Sequence, residues 1–264
     1  MYDFAYHKPT SIADAVKILA ADPDAKPVSG GHTLLPALKH RLNQPSALVD
    51  LSGIAELRGI KREGDTIIIG AMTRHGEVAT SDIIKSAIPA LAHMASTIGD
   101  TQVRNRGTMG GSLANNDPAA DYPAAAMALG AKFQTDRRTL AAEDFFQGMF
   151  TTALEPDELL IAIHFPVPKK AGYAKLKNPA SRYSMCGVFV ADGAAGIRVA
   201  VNGAGPGVFR QEAAEAALSA NWSPEAVAGV KQDPDGLNSD IHGSAEYRAH
   251  LVTVMTKRAV LDAG

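Results

Sequence analysis

The sequence predicts an α+β protein of two domains. Its 264 residues are about the length of two average domains. Strand patterns come in groups, and helical patterns do not alternate with them in the regular way that builds a parallel sheet. Two prolines and a glycine interrupt the pattern at residues 166–172, which is typical of a domain boundary. We therefore predict a first domain over residues 1–168 and a second over residues 169–264.

The elements of the first domain follow from hydrophobic periodicity and from capping and turn residues. Thr10 or Ser11 can cap a first helix, and Pro23 lies just beyond its end. Glu63-Gly64-Asp65 separates two apolar runs and predicts a hairpin. The predicted order is a helix at 12–19, a strand at 27–29, a helix at 34–42, strands at 47–51, 57–62 and 66–70, helices at 74–80, 89–98 and 122–129, and strands at 132–135 and 159–165.

The second domain is predicted to contain a small antiparallel sheet followed by helices. The last helix is the most regular, with Tyr247, Leu251 and Met255 at helical spacing. The predicted elements are strands at 173–177, 185–191 and 197–201 and helices at 211–218, 224–230 and 244–262.

Composition excludes several classes of function. The net charge is −2, so no overall positive field favours nucleic acid or an anionic membrane. No segment approaches the roughly 20 apolar residues of a membrane span, and the N-terminus lacks the pattern of a signal peptide. The single cysteine, Cys186, cannot form a disulfide within the chain or hold an iron–sulfur cluster. We expect a cytoplasmic protein that binds neither nucleic acid nor a membrane.

Two glycine-centred segments are the most informative features of the chain. We name residues 27–35 the first glycine loop and residues 108–121 the second glycine loop. They read Pro27-Val28-Ser29-Gly30-Gly31-His32-Thr33-Leu34-Leu35 and Thr108-Met109-Gly110-Gly111-Ser112-Leu113-Ala114-Asn115-Asn116-Asp117-Pro118-Ala119-Ala120-Asp121. Glycine lets a ligand approach the bare main chain, and free N–H groups at a helix start favour an anion such as a phosphate. Together the loops predict one extended phosphorylated cofactor held at two points.

The two loops differ in how specific they are. The first could be only a tight turn between a strand and a helix, and its His32 could pack against the loop rather than act as a base or metal ligand. The second carries many small polar groups in a short run. Such groups suit a pyrophosphate on backbone N–H groups and a ribose or ribityl chain on amide and carboxylate oxygens.

The remaining candidate motifs have structural interpretations. A third glycine cluster, Gly203-Ala204-Gly205-Pro206-Gly207, fails as a dinucleotide fingerprint because Val208 stands at the third glycine position and Pro206 removes a donor. A turn is the better interpretation. Cys186 lies in an apolar stretch and is predicted to be core. No catalytic constellation and no metal set stand out, which fits chemistry that belongs to a bound cofactor.

At this point the sequence resembles a known family, the flavoprotein (medium) subunits of the molybdenum hydroxylases, which include xanthine dehydrogenase and aerobic carbon monoxide dehydrogenase. Residues 29–33 resemble that family's first FAD loop, usually Ala-Gly-Gly-His/Asn-Ser/Thr. Residues 108–112 resemble its second, usually Thr/Ser-Ile-Gly-Gly-Asn/Asp, and residues 117–121 resemble the Asp/Ser-Pro-x-x-Asp that follows. Met109 departs from the usual Ile, and Ser112 from the usual Asn or Asp.

The resemblance implies a vanillyl-alcohol-oxidase-like (PCMH-type) FAD-binding domain of two subdomains, about residues 1–53 and 54–168, and a C-terminal domain over 169–264. It implies noncovalent FAD, with Leu160 on the adenine side, Tyr183 over the flavin ring and Lys175, or Lys177 in a shifted alignment, as a later contact. It implies no catalytic side chain and no metal ligand. The cofactor-binding residues implied are Pro27, Val28, Ser29, Gly30, Gly31, His32, Thr33, Leu34, Ile98, Thr108, Met109, Gly110, Gly111, Ser112, Asn115, Asp121, Leu160, Lys175 and Tyr183.

The same resemblance implies a function and partners. The chain would be an electron-transfer subunit that takes electrons from the [2Fe–2S] clusters of a small partner subunit and passes them to an external acceptor. A large molybdopterin subunit would oxidise the substrate, and the assembly would be a dimer of heterotrimers. Two alternatives stay open at this stage: a stand-alone FAD-dependent oxidoreductase of the same fold, and a non-catalytic assembly protein that kept the fold.

Overall fold

The computed structural model describes all 264 residues and begins with a small parallel sheet. Its elements are β1 (Ala5–His7), α1 (Ile12–Ala21), β2 (Lys26–Val28), α2 (Leu34–Lys39) and β3 (Ala47–Asp50), with 3₁₀ turns at Leu51–Gly53 and Ala55–Leu57. The strand order is β1-β3-β2, and both pairs are parallel. Ser11 caps α1 by accepting a hydrogen bond from the Asp14 N–H at 3.1 Å. The first glycine loop connects β2 to α2.

A larger antiparallel sheet follows, surrounded by short helices. Its elements are β4 (Ile60–Glu63), β5 (Thr66–Gly70), α3 (His75–Thr80), α4 (Asp82–Ala87), α5 (Pro89–Ser96), α6 (Thr101–Arg106), α7 (Met109–Asn115), α8 (Tyr122–Leu129), β6 (Lys132–Thr135), β7 (Thr139–Ala141), α9 (Ala142–Phe145), β8 (Phe146–Gly148), β9 (Thr151–Thr152) and β10 (Leu160–Pro166). The strand order of the sheet is β4-β5-β10-β6-β7, and β8 and β9 form a separate hairpin. The second glycine loop contains α7 and ends where α8 begins.

The C-terminal part forms a four-stranded antiparallel sheet in the order β11-β12-β13-β14. Its elements are β11 (Lys170–Lys177), β12 (Ser184–Gly193), β13 (Gly196–Asn202), β14 (Phe209–Arg210), α10 (Glu212–Ala220) and α11 (Ala245–Asp262). Side chains alternate between the two faces of a strand. On one face Val188 and Val190 pack with α10 and α11, and on the other Phe189 joins the core cluster that contains α8.

Small side chains on α8 allow this close docking of the C-terminal sheet. The helix contributes Ala124, Ala125 and Ala126, all fully buried, to the same core cluster as Tyr173 and Phe189. The two parts of the chain therefore share one continuous apolar core, and the second glycine loop lies at the edge of their contact.

Most predicted elements are confirmed, one is wrong, and several short elements were not predicted. The helix predicted at 224–230 is wrong: the segment makes only short turns, with i to i−3 hydrogen bonds such as Ala226 N–H to Ser223 at 3.2 Å, and of its apolar residues only Val227 is fully buried. Helices α4 and α6 were not predicted. Helix α6 has no buried residue. Its sequence therefore lacks the apolar periodicity from which a helix is predicted. No helix of the protein is both long and apolar enough to cross a membrane.

Candidate cofactor site

A cavity of about 670 Å³ lies between the first glycine loop, α7 and the tip of the β11–β12 hairpin. Such a volume is within the range of ligand pockets. It brings together residues from positions 26 to 183 of the chain. Of the predicted cofactor-binding residues, all line this cavity except Met109 and Lys175. Met109 is fully buried in the core, and Lys175 lies behind the cavity wall on Asp121, 2.9 Å from it.

The first glycine loop presents free backbone donors to the cavity. The N–H groups of Gly30, Gly31, His32 and Thr33 donate to no backbone carbonyl, and Thr33 makes no capping hydrogen bond at the start of α2. Gly31 has φ +73°, which is accessible to glycine at little cost. A run of free N–H groups at a helix start is a favourable position for an anionic phosphate.

The second glycine loop is built differently from the sequence-based prediction. Gly110 and Gly111 lie in the first turn of α7, and their N–H groups are already used. The Met109 N–H donates to Thr73 at 2.9 Å and the Gly110 N–H to Ala71 at 2.8 Å, while the Gly111 N–H donates to the Thr108 hydroxyl at 3.1 Å. The prediction of free phosphate-binding N–H groups here is wrong. The glycines instead allow close packing against neighbouring main chain.

The two glycine segments touch each other along a narrow seam. A methyl group on Gly30 would overlap the Arg106 carbonyl oxygen and lie 2.7 Å from the Gly107 Cα. On Gly111 it would overlap the Ser29 hydroxyl and lie 2.8 Å from Thr108 Oγ1. The Thr108 hydroxyl also donates to Ser29 Oγ at 3.2 Å. Glycine is therefore required to bring the two loops into contact, which fixes the width of the cavity.

A buried histidine lines the cavity next to this seam. His75 is 5% exposed, its ring packs against Tyr122 at 5.3 Å, and its Nδ1 has no hydrogen-bond partner. Burial lowers the pKa of His75 from 6.5 to about 4, so the ring is neutral at physiological pH. A buried polar atom without a partner in a cavity wall is a candidate for a ligand contact.

Asp121 connects the cavity wall to the C-terminal sheet. Its carboxylate accepts hydrogen bonds from the hydroxyls of Tyr173 and Ser184 and from the Lys175 ammonium at 2.9 and 3.1 Å. The Lys175 side chain is 5% exposed, whereas Lys177 is exposed at the end of β11. The structure therefore places Lys175, rather than Lys177, beside the site.

Turns in and beside the cavity lining contain non-glycine residues with positive φ angles. Asn116, Phe150 and Arg182 have positive φ angles of 44°, 54° and 63°, and such residues concentrate at functional sites. Asn116 Nδ2 holds the β8–β9 turn by donating to Gly148 and to Thr151 at 2.7 and 2.8 Å. Tyr183, on the β11–β12 turn, is half exposed, so its ring is available for stacking.

Several lining residues were not predicted from the sequence. They include His75, Phe150, Glu158 and Arg182, which come from segments far from the two glycine loops. The Arg182 guanidinium donates to the Gly99 carbonyl at 3.2 Å and so joins the C-terminal hairpin to the first part of the chain. No local pattern marks these residues, because only the docking of distant elements brings them to the cavity. No group of His, Cys, Asp and Glu side chains is arranged to hold a metal ion.

Comparison with known proteins identifies the class to which this fold and site belong. Residues 2–168 match the family described as the FAD binding domain in molybdopterin dehydrogenase, and residues 173–263 match the CO dehydrogenase flavoprotein C-terminal domain. The fold is thus that of a PCMH-type FAD-binding flavoprotein.

Individual relatives narrow the assignment. The chain is 36% identical to the carbon monoxide dehydrogenase medium chain of Hydrogenophaga pseudoflava, over 97% of this chain and 96% of the relative. It is 36% identical to the nicotine 6-hydroxylase medium subunit of Paenarthrobacter nicotinovorans, over 98% and 96%. It superimposes on a chain of reconstituted CO dehydrogenase from Oligotropha carboxidovorans with a TM-score of 0.93, 36% identity and coverage of 99% and 98%. The chain belongs to the family of FAD-binding medium subunits of CO dehydrogenase- and xanthine dehydrogenase-like oxidoreductases.

Proposed function

We propose that this chain is the electron-transfer subunit of a molybdenum hydroxylase complex. It would take electrons from the [2Fe–2S] clusters of a small partner subunit and pass them to an external acceptor. FAD, when bound, accepts and donates two electrons, while the protein orients the ring and controls access to it. The observation that carries the proposal is the cavity between two contacting glycine segments, with free N–H groups on one side and uncharged polar side chains on the other.

The residues present fit FAD. The free N–H groups of residues 30–33 suit the pyrophosphate. Ser112 and Asn115 line the opposite wall and suit the ribityl chain, since hydroxyl and amide groups can both donate and accept. Leu160 and Tyr183 also line the cavity, and we propose that Leu160 contacts the adenine and Tyr183 the flavin ring.

The chain has too few cysteines to hold iron–sulfur clusters itself. Cys186 is its single cysteine and is fully buried, and burial raises the pKa of its thiol to about 12. Cysteine-ligated iron–sulfur clusters need four thiolates, so we propose that the clusters reside in a small partner subunit. From the resemblance to the molybdenum hydroxylases we also propose a large subunit with the molybdenum cofactor, in a dimer of heterotrimers. Within the chain, we propose residues 1–168 as the FAD-binding domain and residues 169–264 as the C-terminal domain.

The visible spectrum of the purified chain tests the cofactor. We expect a flavin spectrum, and acid precipitation should release FAD into the supernatant because no covalent link is made. A colourless chain that takes up no FAD on incubation would overturn the proposal.

The direction of electron flow needs a second experiment. An iron–sulfur partner subunit is reduced with dithionite, freed of excess dithionite by anaerobic gel filtration and mixed with the FAD-loaded chain. Flavin bleaching is followed by stopped flow. We expect bleaching with the reduced partner and none with candidate organic substrates alone. Bleaching by a substrate in the absence of any partner would instead support a stand-alone FAD oxidoreductase.

A further inference from the structure

We propose that the C-terminal sheet positions the cofactor site by holding the loop at residues 117–121, and that Tyr173 and Ser184 are positioning residues for FAD. The proposal rests on the proposed FAD site and goes beyond it, because neither residue lines the cavity. It assigns to the C-terminal domain a direct influence on cofactor affinity.

The loop at 117–121 has one side toward the cavity and the other toward the C-terminal sheet. Asp117, Ala120 and Asp121 line the cavity. On the opposite side, the Gly203 N–H of the sheet donates to the Pro118 carbonyl at 2.7 Å. The loop is therefore anchored near its start by the main chain of the sheet and at its end by the Asp121 carboxylate.

The Asp121 carboxylate is directed away from its own helix. It occupies the N-cap position of α8 but makes no capping hydrogen bond, although aspartate usually does so there. Its partners are Tyr173 and Lys175 of β11 and Ser184 of β12, with Ser184 Oγ at 2.7 Å. All three partners come from the C-terminal sheet, so the sheet determines where the carboxylate lies.

The surroundings of the tyrosine hydroxyl indicate a site built around this contact. Tyr173 is 2% exposed and Ser184 3%, so neither hydroxyl has water as an alternative partner. Gly187 lies on β12 opposite Lys175, and a methyl group there would lie 2.5 Å from the Tyr173 hydroxyl. Glycine at this position leaves the space that the hydroxyl needs to reach Asp121.

The consequence is that removing a hydroxyl that does not itself line the cavity weakens FAD binding. Hydrogen bonds to charged groups are among the stronger ones in proteins. Without the hydrogen bonds from Tyr173 or Ser184, the Asp121 carboxylate and the loop at 117–121 can adopt other positions. Only the position seen in the structure forms the cavity wall as described. We expect Tyr173→Phe and Ser184→Ala each to raise the Kd for FAD by about tenfold.

The test is titration of FAD into the FAD-free full-length chain by calorimetry, combined with thermal unfolding of the same FAD-free variants. Ser184→Thr keeps the hydroxyl and should bind FAD more tightly than Ser184→Ala. Tyr247→Phe and Ser219→Ala are matched controls, because Tyr247 is 45% exposed and Ser219 bonds only to Glu215 within α10; both should bind like the wild type.

The outcomes separate this proposal from the proposed function. If the wild-type chain binds FAD and both test variants bind it with the same Kd, the positioning role is overturned while FAD binding stands. If the weaker binding disappears at low temperature, where every variant is fully folded, the residues are merely structural and the proposal is again overturned. A wild-type chain that binds no FAD would overturn the proposed function itself.

Discussion

Replacing Gly30 with alanine tests the contact between the first glycine loop and residues 106–107, which lead directly into the second glycine loop. The added methyl would overlap the Arg106 carbonyl oxygen and lie 2.7 Å from the Gly107 Cα and 3.0 Å from the Arg106 carbonyl carbon. All three are main-chain atoms, so no side-chain rotation relieves the overlap. Ordinary carbon–carbon contacts lie at about 3.5 Å or more, which means that the loops must separate by roughly 0.8 Å.

This separation would move the free N–H groups of the first glycine loop away from the opposite wall. Overpacking of this size costs about 1–3 kcal/mol. If that cost falls on the FAD-bound state, the Kd for FAD rises by about 5- to 150-fold. Calorimetric titration of FAD into the full-length chain measures it.

Gly207→Ala is the matched control, because a methyl group there meets no atom within 4 Å. It should retain the wild-type Kd. If Gly30→Ala also binds FAD with the wild-type Kd, the close approach at Gly30 does not set the shape of the FAD site.

Three further predictions concern titration and reactivity. Burial lowers the pKa of His75 from 6.5 to about 4, so the free energy of unfolding should fall by up to about 3 kcal/mol as the pH falls from 6.5 to 4. Urea unfolding across this pH range should show a smaller decrease for His75→Asn. Equal decreases in the two proteins would contradict the role of His75. The Arg138 guanidinium lowers the pKa of Glu158 from 4.5 to about 2. Because the Arg138 side chain is 39% exposed, solvent screens this ion pair, and Glu158→Gln should lower the free energy of unfolding by only about 1–2 kcal/mol near neutral pH. That cost should disappear as pH falls through 4.5 to about 2, and a cost independent of pH would point to packing instead. Cys186, whose pKa burial raises to about 12, should resist iodoacetamide in the native chain and react fully in denaturant, as mass spectrometry can show; rapid native labelling would mean that β12 opens readily.

The two glycine segments show how far local reasoning reaches. Their residue types identified the site region, and the residues predicted around them line one cavity, with the two exceptions noted above. The prediction that the second segment offers free N–H groups to a phosphate is wrong. A sequence does not reveal that the Thr73 and Ala71 carbonyls already accept hydrogen bonds from these N–H groups. Whether a backbone donor is free depends on which distant strand end lies beside it.

The contacts of the Asp121 side chain were likewise not predictable from local sequence. Its motif marked it as part of the site, but its partners Tyr173, Lys175 and Ser184 lie more than 50 residues further along the chain. Replacing it with alanine would leave the Lys175 ammonium buried without a counter-charge, which is strongly destabilising. Asp121→Asn is therefore a gentler probe of the site than Asp121→Ala.

Local patterns in the sequence are sufficient to predict the α+β class and most helices and strands, and the two glycine segments carry the resemblance to a flavoprotein family. These depend on short-range patterns: periodicity, caps, turn residues and the conformational freedom of glycine. The free N–H groups, the close approach of the loops and the hold of the C-terminal sheet on Asp121 are settled by tertiary contacts. Each depends on contacts between residues distant in the chain, such as that of the Gly110 N–H with the Ala71 carbonyl.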